Sequence, residues 1–334
     1  MAVNTVGDLA MSYIFRSRNA QLKADMVRFS TELSTGQVAS VSEAVNANFG
    51  PVSAMEHSLS QLEAYRQSIS ESAGLAGAMQ SSLETIRQSA LALSTDLLTS
   101  GSTSSAVHLD ALGASAAQAF HAAVSQLNTS YGGRALFSGA ATDRAALADS
   151  HAILSALEVA VATETTASGV KAAVDAWFDP GGGFDTIAYT GSPTPLAPMQ
   201  AGANRAVDLD VTAADTAIRD TLKGLALSAL MSSPPLSEAP SEQAVMAKTA
   251  GDLLLQANTD LLQTQARIGV AEETLEDAKT SNSSEIAALE LGLAELLSVD
   301  VYESATKLEQ AESSLELLYA LTARSARLNL ADYL

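Results

Sequence analysis

A heptad repeat between Pro51 and Ser100 constrains the fold more than any other feature of the sequence. Apolar side chains recur there every seven residues without a miss, at Met55, Leu62, Ile69, Ala76, Leu83, Ala90 and Leu97. This repeat is typical of helices that pack lengthwise on other helices. A helix of that span is roughly 70 Å long at 1.5 Å per residue, which exceeds an ordinary globular core. We therefore expect it to lie along other long helices.

Both ends of the chain carry apolar stripes of the same kind. The N-terminal stripe consists of Phe15, Leu22, Met26, Phe29 and Leu33. Asn19 is its one polar gap, and Gly36 is suited to the left-handed residue that ends a helix. The C-terminal stripe consists of Val301, Leu308, Ala311, Leu315 and Leu318. Asp300 and Glu303 have the spacing of a capping box, so a helix is expected to begin there, after a longer one that begins near Ser241.

The middle of the chain has a different character, because seven of the eight prolines lie between Thr142 and Pro240. Strict alternation predicts a strand at 207–211, and a shorter strand is expected at 186–189. Helices are expected near 145–176 and 212–231, with Trp177 and Phe178 anchoring a small core.

The predicted fold is therefore mainly α, with a long antiparallel helical rod, of coiled-coil type, from both chain termini and a small α+β insertion domain. The predicted limits are 1–50 for an N-terminal axial helix and turn, 51–140 for the N-terminal rod helices and 141–240 for an outer insertion domain. Residues 241–298 are the predicted C-terminal rod helix, and residues 299–334 the C-terminal axial helix.

Composition excludes several function classes. The formal net charge is −20, so phosphate backbones and anionic membranes are repelled, and we expect neither nucleic acid nor a membrane as a partner. Cysteine is absent, which excludes disulfides, cysteine-ligated metals and thiol nucleophiles. No apolar run approaches the roughly 20 residues of a membrane span. The first 20 residues lack the apolar region and cleavage site of a signal peptide, so a cleaved signal is not expected.

The sequence contains no recognisable catalytic, cofactor-binding or metal-binding motif. The four histidines, His57, His108, His121 and His151, lack the spacing of metal ligands, and each is expected on a helix surface. The glycine pairs and triplets are not followed by the Lys-Ser/Thr of a phosphate-binding loop, and there is no G-x-S-x-G elbow. We therefore expect no cofactor, no resident metal and no enzymatic activity.

The two terminal stripes predict an assembly interface. Two helices packed on each other leave much of each stripe in water, so further helices are needed, and other subunits are the expected source. The ten residues of the N-terminal and C-terminal stripes are the predicted interface.

Four segments resemble the flagellin superfamily of bacterial axial proteins. Residues 29–37, Phe-Ser-Thr-Glu-Leu-Ser-Thr-Gly-Gln, are similar to the family's N-terminal stretch. Residues 133–139, Gly-Arg-Ala-Leu-Phe-Ser-Gly, are similar to the Gly-Arg-Tyr-Leu-Phe-Ala-Gly stretch of its hook–filament junction branch, as is the region 184–191. The C-terminal Leu-Asn-Leu-Ala-Asp-Tyr-Leu, residues 328–334, also resembles a junction-type ending. One segment departs from the family, because residues 42–51 replace its usual Asp-Asp-Pro-Ala-like run.

This resemblance implies an extracellular structural subunit of the bacterial flagellum that joins the hook to the filament and is exported through the flagellar type III channel without a cleaved signal. It implies as partners further copies of the chain, the hook-side junction protein, flagellin and an export chaperone. The terminal helices would order on docking to neighbouring subunits. Flagellin itself, the bulk filament subunit, is the nearest alternative, and a non-flagellar coiled-coil secretion component is a weaker one.

Overall fold

The computed structural model of the chain describes residues 3–45, 48–100, 105–234 and 236–331. Within these ranges the chain forms nine α-helices and two small antiparallel sheets, so the predicted mainly α class with a small α+β insertion is confirmed. The helices are α1 (Val3–Thr35), α2 (Val41–Ala44), α3 (Gly50–Ser100), α4 (Ala106–Leu127), α5 (Ser150–Val161), α6 (Ala167–Phe178), α7 (Thr216–Leu230), α8 (Pro240–Leu296) and α9 (Val301–Ala331). The strands are β1 (Ser130–Tyr131), β2 (Arg134–Ala135), β3 (Met199–Gly202) and β4 (Arg205–Val207).

The chain divides into two compact units. The terminal unit comprises Met1–Leu62 and Ser283–Leu334, and the central unit comprises Glu63–Asn282. The long helices α3 and α8 therefore contribute residues to both units. The five domain limits drawn from the sequence follow different boundaries and stay a prediction.

The core of the central unit is built on the heptad stripe of α3. Its stripe residues from position 69 onward are all at most 2% exposed: Ile69, Ala76, Leu83, Ala90 and Leu97. They belong to the same hydrophobic cluster as a stripe on α8 with seven-residue spacing, Leu254, Leu261, Ile268 and Leu275. The helices run antiparallel, because Gln80 Nε2 donates to the Gln265 carbonyl at 2.7 Å and Ser94 Oγ to the Gly251 carbonyl at 2.9 Å.

A polar network crosses this α3–α8 seam. Arg87 donates to both carboxylate oxygens of Glu84, at 2.8 and 2.6 Å, and to the Asn258 amide oxygen at 3.3 Å. Gln265 of α8 donates to Glu84 at 3.2 Å. These hydrogen bonds, led by the one from Arg87, lower the pKa of Glu84 to about 2. Directional bonds between fixed positions favour one register of an otherwise uniform apolar seam.

The strand predictions in the middle of the chain are only partly right. Residues 184–188 form a π-helix instead of leading into a strand, so the strand predicted at 186–189 is wrong. Val207 ends β4, and Leu209 and Val211 lie outside any strand, although all three are at most 3% exposed. Alternation therefore predicted which side chains are buried, but it could not predict whether a neighbouring backbone pairs with them.

The predicted aromatic core of the insertion is confirmed. Trp177 and Phe178 end α6 and contact Phe184 of the π-helix, with ring centroids 6.4 and 5.4 Å from it. The Arg219 guanidinium of α7 lies 4.5 Å from the Phe184 ring centroid and donates to the Phe178 carbonyl at 3.0 Å. The long helix expected near 145–176 is two helices, α5 and α6, while α7 lies where the sequence predicted it.

Segment 133–139 holds three distant parts of the central unit together. The Phe137 carbonyl accepts from Ala213 N–H at 2.9 Å, and the Ser138 carbonyl accepts from Ser192 N–H at 2.8 Å. Gly139 has a φ of 62°, and a Cβ at this residue would lie 2.6 Å from the Thr194 carbonyl oxygen. Phe137 is fully buried. The motif is therefore a clip that fastens two returning segments to the end of the β1–β2 hairpin.

Other helix predictions were right in extent but not in every contact. The apolar residues Val107 of α4 and Val245 of α8 are 78% and 54% exposed, although the apolar spacing of these two segments would predict both as helix contacts. Each is out of phase with the buried face of its helix. The turn predicted at 101–105 lies outside the described residues except for Ser105, which caps α4.

Replacing Gly139 by Ala is expected to lower the free energy of unfolding of the central unit by about 1–3 kcal/mol, because a left-handed alanine is strained and its methyl group meets a carbonyl oxygen. Gly132→Ala is the matched control, since its φ is 57° and nothing lies within 4 Å of a Cβ there. Denaturant unfolding measures both. Equal losses would show that the carbonyl contact contributes nothing.

The network around Glu84 predicts an acid dependence of stability. Its pKa in the folded chain is about 2, below the ordinary 4.5, so its contribution is present above pH 4.5 and is lost as the pH falls towards 2. Glu84→Gln should therefore flatten the pH dependence of the melting temperature in that window. Glu273→Gln, at an exposed position of α8, is the control and should leave the slope unchanged.

Candidate assembly surface

The first and last helices pack against each other in the terminal unit. Helices α1 and α9 run antiparallel, since Glu32 near the end of α1 lies beside Ser304 near the start of α9. Further along, Asn19 of α1 is hydrogen-bonded to Tyr319 of α9. This bond, followed by a smaller effect of Lys23, lowers the pKa of Tyr319. The one polar gap in the N-terminal stripe is thus filled by a tyrosine hydroxyl from the other end of the chain.

The segment that follows α1 and the segment that precedes α9 are also hydrogen-bonded to each other. Val38 N–H donates to the Leu297 carbonyl at 2.9 Å, and Val299 N–H donates to the Gly36 carbonyl at 3.1 Å. Gly36 has a φ of 70° and ends α1, as predicted. Asp300 caps α9 as predicted, accepting from the backbone of Tyr302 and Glu303 at 2.9 and 3.1 Å.

A buried carboxylate fastens this junction. Glu32 is 7% exposed, and its oxygens accept from Ala39 N–H and from the Ser304 hydroxyl, each at 3.3 Å. It connects the last turn of α1, the chain that leaves it and the first turn of α9. The two chain ends are therefore fixed to each other by polar contacts as well as by the apolar seam.

The predicted interface residues lie mostly in this seam, within one chain. Four of the ten are at most 9% exposed: Leu22, Phe29, Ala311 and Leu318. Five are half-buried: Phe15, Met26, Leu33, Leu308 and Leu315. Val301 is 57% exposed. The seam thus shields much of both stripes in a single chain and leaves some of their surface in water, and the role of these residues between subunits stays a prediction.

A second set of apolar side chains points away from the seam. The apolar stripes in the sequence did not predict this set. On α1, Leu9, Tyr13 and Val27 are 68%, 71% and 68% exposed. On α9, Leu317 and Leu321 are 62% and 54% exposed. At about 100° per residue these side chains lie roughly opposite or beside the seam positions of their helices. We call these five residues the outer face; the four-residue spacing of Leu317 and Leu321 is the signal that could have revealed it.

The described residues hold no candidate metal centre. No group of three or more His, Asp or Glu side chains within them could hold a metal ion. Asp208 and Asp210, which lie on one face of segment 207–211, are both exposed, and Asp210 lies 3.7 Å from Arg267. None of the helices in the described ranges is long and apolar enough to cross a membrane.

The two ends of the chain thus form one structural unit through the packing of α1 on α9. Residues 6–142 match the family model of the bacterial flagellin N-terminal helical region. The match ends just after the clip segment 133–139.

A particular solved structure shares the fold. It is described as a flagellar hook-associated protein from Vibrio parahaemolyticus, with a TM-score of 0.54 and 15% sequence identity over 77% of this chain and 100% of that chain. At this identity the likeness shows the fold. A search of curated proteins finds no match to the chain.

Not all of the segments that carry the sequence resemblance are open to comparison. Residues 332–334 of the C-terminal motif lie outside the described residues, as do Asn46 and Ala47 in the segment that departs from the family.

Truncating seam residues should loosen the helix pair, whereas truncating outer-face residues should not. Leu22→Ala and Phe29→Ala are each expected to lower the local stability of α1 and α9 by about 2 kcal/mol, because they leave a cavity in the seam. Val27→Ala is the matched outer-face control and should change it by less than about 0.5 kcal/mol. Hydrogen exchange of the α1 and α9 amides measures both, and an equal effect of Val27→Ala would contradict the assignment of the two faces.

Proposed function

We propose that this chain is a structural, non-enzymatic subunit of the bacterial flagellum that joins the hook to the filament. Its terminal helices contact further copies of the chain, the hook-side junction protein and flagellin, outside the cell. The single observation that carries the proposal is the paired α1 and α9 with apolar side chains on the outer face, in a chain whose residues 6–142 match a flagellin region.

Assembly through the outer face follows from the hydrophobic effect. Each Leu, Val or Tyr of that face keeps about half or more of its surface in water in the single chain. Burying apolar area is worth about 25 cal/mol per Å², so several such side chains on each copy favour association. Exposed apolar side chains clustered on one unit are typical of an interaction site.

Head-to-tail contacts suit such a subunit. A heterologous contact joins two different patches and generates rings or helical tubes, whereas an isologous contact closes a dimer. The outer face has contributions from both chain ends, so each copy offers two chemically different helices to its neighbours. Because the seam is already covered by α1 and α9 themselves, ordering on docking would concern mainly the residues whose apolar surface remains exposed.

The junction role is favoured over that of flagellin by sequence details. The Gly133–Gly139 clip and the C-terminal Leu-Asn-Leu-Ala-Asp-Tyr-Leu resemble the junction branch. The absence of cysteine fits transport of an unfolded chain through a narrow export channel, since no disulfide can form on the way. An export chaperone that covers the apolar C-terminal helix before transport is part of the proposal.

Electron microscopy of a deletion strain tests the proposal. Loss of the chain should leave hooks without filaments, with flagellin spilled into the medium, and immunogold labelling of the complemented strain should mark only the junction. Labelling along the whole filament would instead support the flagellin alternative. Filaments that persist in the deletion strain would contradict both.

A second experiment tests the outer face itself. Leu317→Gln with Leu321→Gln should leave the chain folded but reduce filament-bearing hooks by at least tenfold. The matched control is Glu312→Gln with Glu316→Gln, two exposed positions on the same helix. Normal filaments with the leucine pair replaced would show that assembly uses other surfaces.

A further inference from the structure

Two of the four histidines meet in the central unit. The rings of His121 on α4 and His151 on α5 have centroids 4.1 Å apart, with their planes tilted by 36°. His151 is exposed and His121 is half-buried, at the place where α5 begins against α4. The sequence predicts each histidine on a helix surface or rim and does not predict that two of them meet, so this contact is a product of the tertiary fold.

The first turn of α5 holds both rings in place. Ser150, its first residue, has its hydroxyl 2.8 Å from His121 Nδ1. Asp149 is the N-cap, and its carboxylate accepts from the backbone N–H groups of His151 and Ala152 at 3.0 and 3.2 Å. The ring of Phe120 lies edge-on to His121. A shift of the α5 N-terminus would therefore disturb the hydroxyl contact and the ring contact together.

The surroundings of His121 disfavour its protonated form. Burial, and then the neighbouring His151, lower the pKa of His121 below the ordinary 6.5, while Asp149 acts in the opposite direction. Glu158 is the other carboxylate of α5, and it accepts from the Ser233 hydroxyl.

The charged side chains on the helices packed against α5 have partners: Arg219 of α7 pairs with Asp185, and Asp110 of α4 accepts from Gln243. On α6, Lys171 binds Asp175. On α7, Lys223 binds Asp220 and Asp175, at 2.9 and 3.5 Å. The groups that act on His121 are therefore its histidine neighbour and the capping aspartate.

We propose that the His121–His151 contact is a proton-sensitive joint between α4 and α5. Two imidazolium ions in ring contact repel each other, because like charges at this distance disfavour the contact. On acidification the second proton separates the rings, and the first turn of α5 moves away from α4. The joint is closed at neutral pH and opens as the pH falls below the usual range of histidine titration.

The sign of the effect on stability follows from linkage. A histidine whose pKa is lower in the folded chain binds fewer protons there than in the unfolded chain. The stability that it contributes is complete above the unfolded pKa and decreases as the pH falls through the folded pKa. The joint therefore weakens the central unit towards acidic pH.

Ring-labelled histidine NMR on the full chain tests the joint. His121 should titrate with a pKa below 6.5, and His151→Gln should move that pKa upwards, because a charged neighbour is removed. Since His151 is exposed, the substitution is expected to keep the fold. An unchanged pKa of His121 in the His151→Gln variant would overturn the proposal.

Hydrogen exchange gives a second, conformational readout. Protection factors of the α5 amides, corrected for intrinsic exchange rates, should fall at least threefold between pH 7.5 and pH 5 in the natural chain. The fall should be absent in His151→Gln and retained in His57→Gln, a matched change at an exposed histidine of α3. A fall of equal size in all three chains would show that the ring contact does not govern the motion.

Discussion

The rest of the structure depends on the lengthwise packing of helices from opposite halves of the chain. In the central unit, α3 and α8 bury matching heptad stripes, and in the terminal unit α1 and α9 do the same. Such seams are long and nearly uniform, so apolar burial alone would tolerate a shift of one turn along the axis. Polar contacts at single positions remove this ambiguity. Glu84 and Arg87 do so with Gln265 on one seam, and Glu32 with Ser304 on the other. Stability comes from the stripes and register from these few bonds.

Irregular backbone is concentrated between α4 and α7, where short segments must be held by something other than long helices. The clip at 133–139 lends its carbonyl groups to distant N–H groups, and the aromatic cluster around Phe184 fills the space between α6 and the π-helix. Buried backbone groups need hydrogen-bond partners, and a region without long helices or wide sheets finds them one contact at a time. Gly139 allows one of these contacts, because a side chain at this position would collide with the Thr194 carbonyl oxygen. The insertion also shares one hydrophobic cluster with α3 and α8 in the central unit.

The apolar residues of α1 and α9 in the terminal unit fall into two sets, the seam and the outer face. Residues that contact each other within the chain join the two ends into one unit, while Leu9, Tyr13, Val27, Leu317 and Leu321 remain exposed. Changes in the seam therefore concern the stability of a single copy, whereas changes in the outer face concern the association of copies that we propose.

The sequence by itself determined the helical class, the helix ends at Gly36 and Asp300 and the buried phase of α3, because these follow from local spacing and from the chemistry of single residues. Only the tertiary structure decided what each stripe packs against. The ten residues taken for an interface between copies include four buried in the α1–α9 pair, since a stripe does not state whose helix will cover it. The same reason explains why the strand predicted at 186–189 does not form and why the sequence did not predict the contact between His121 and His151. Backbone pairing and ring contacts depend on segments far apart in the chain, and their proximity is set by the packing of the whole unit.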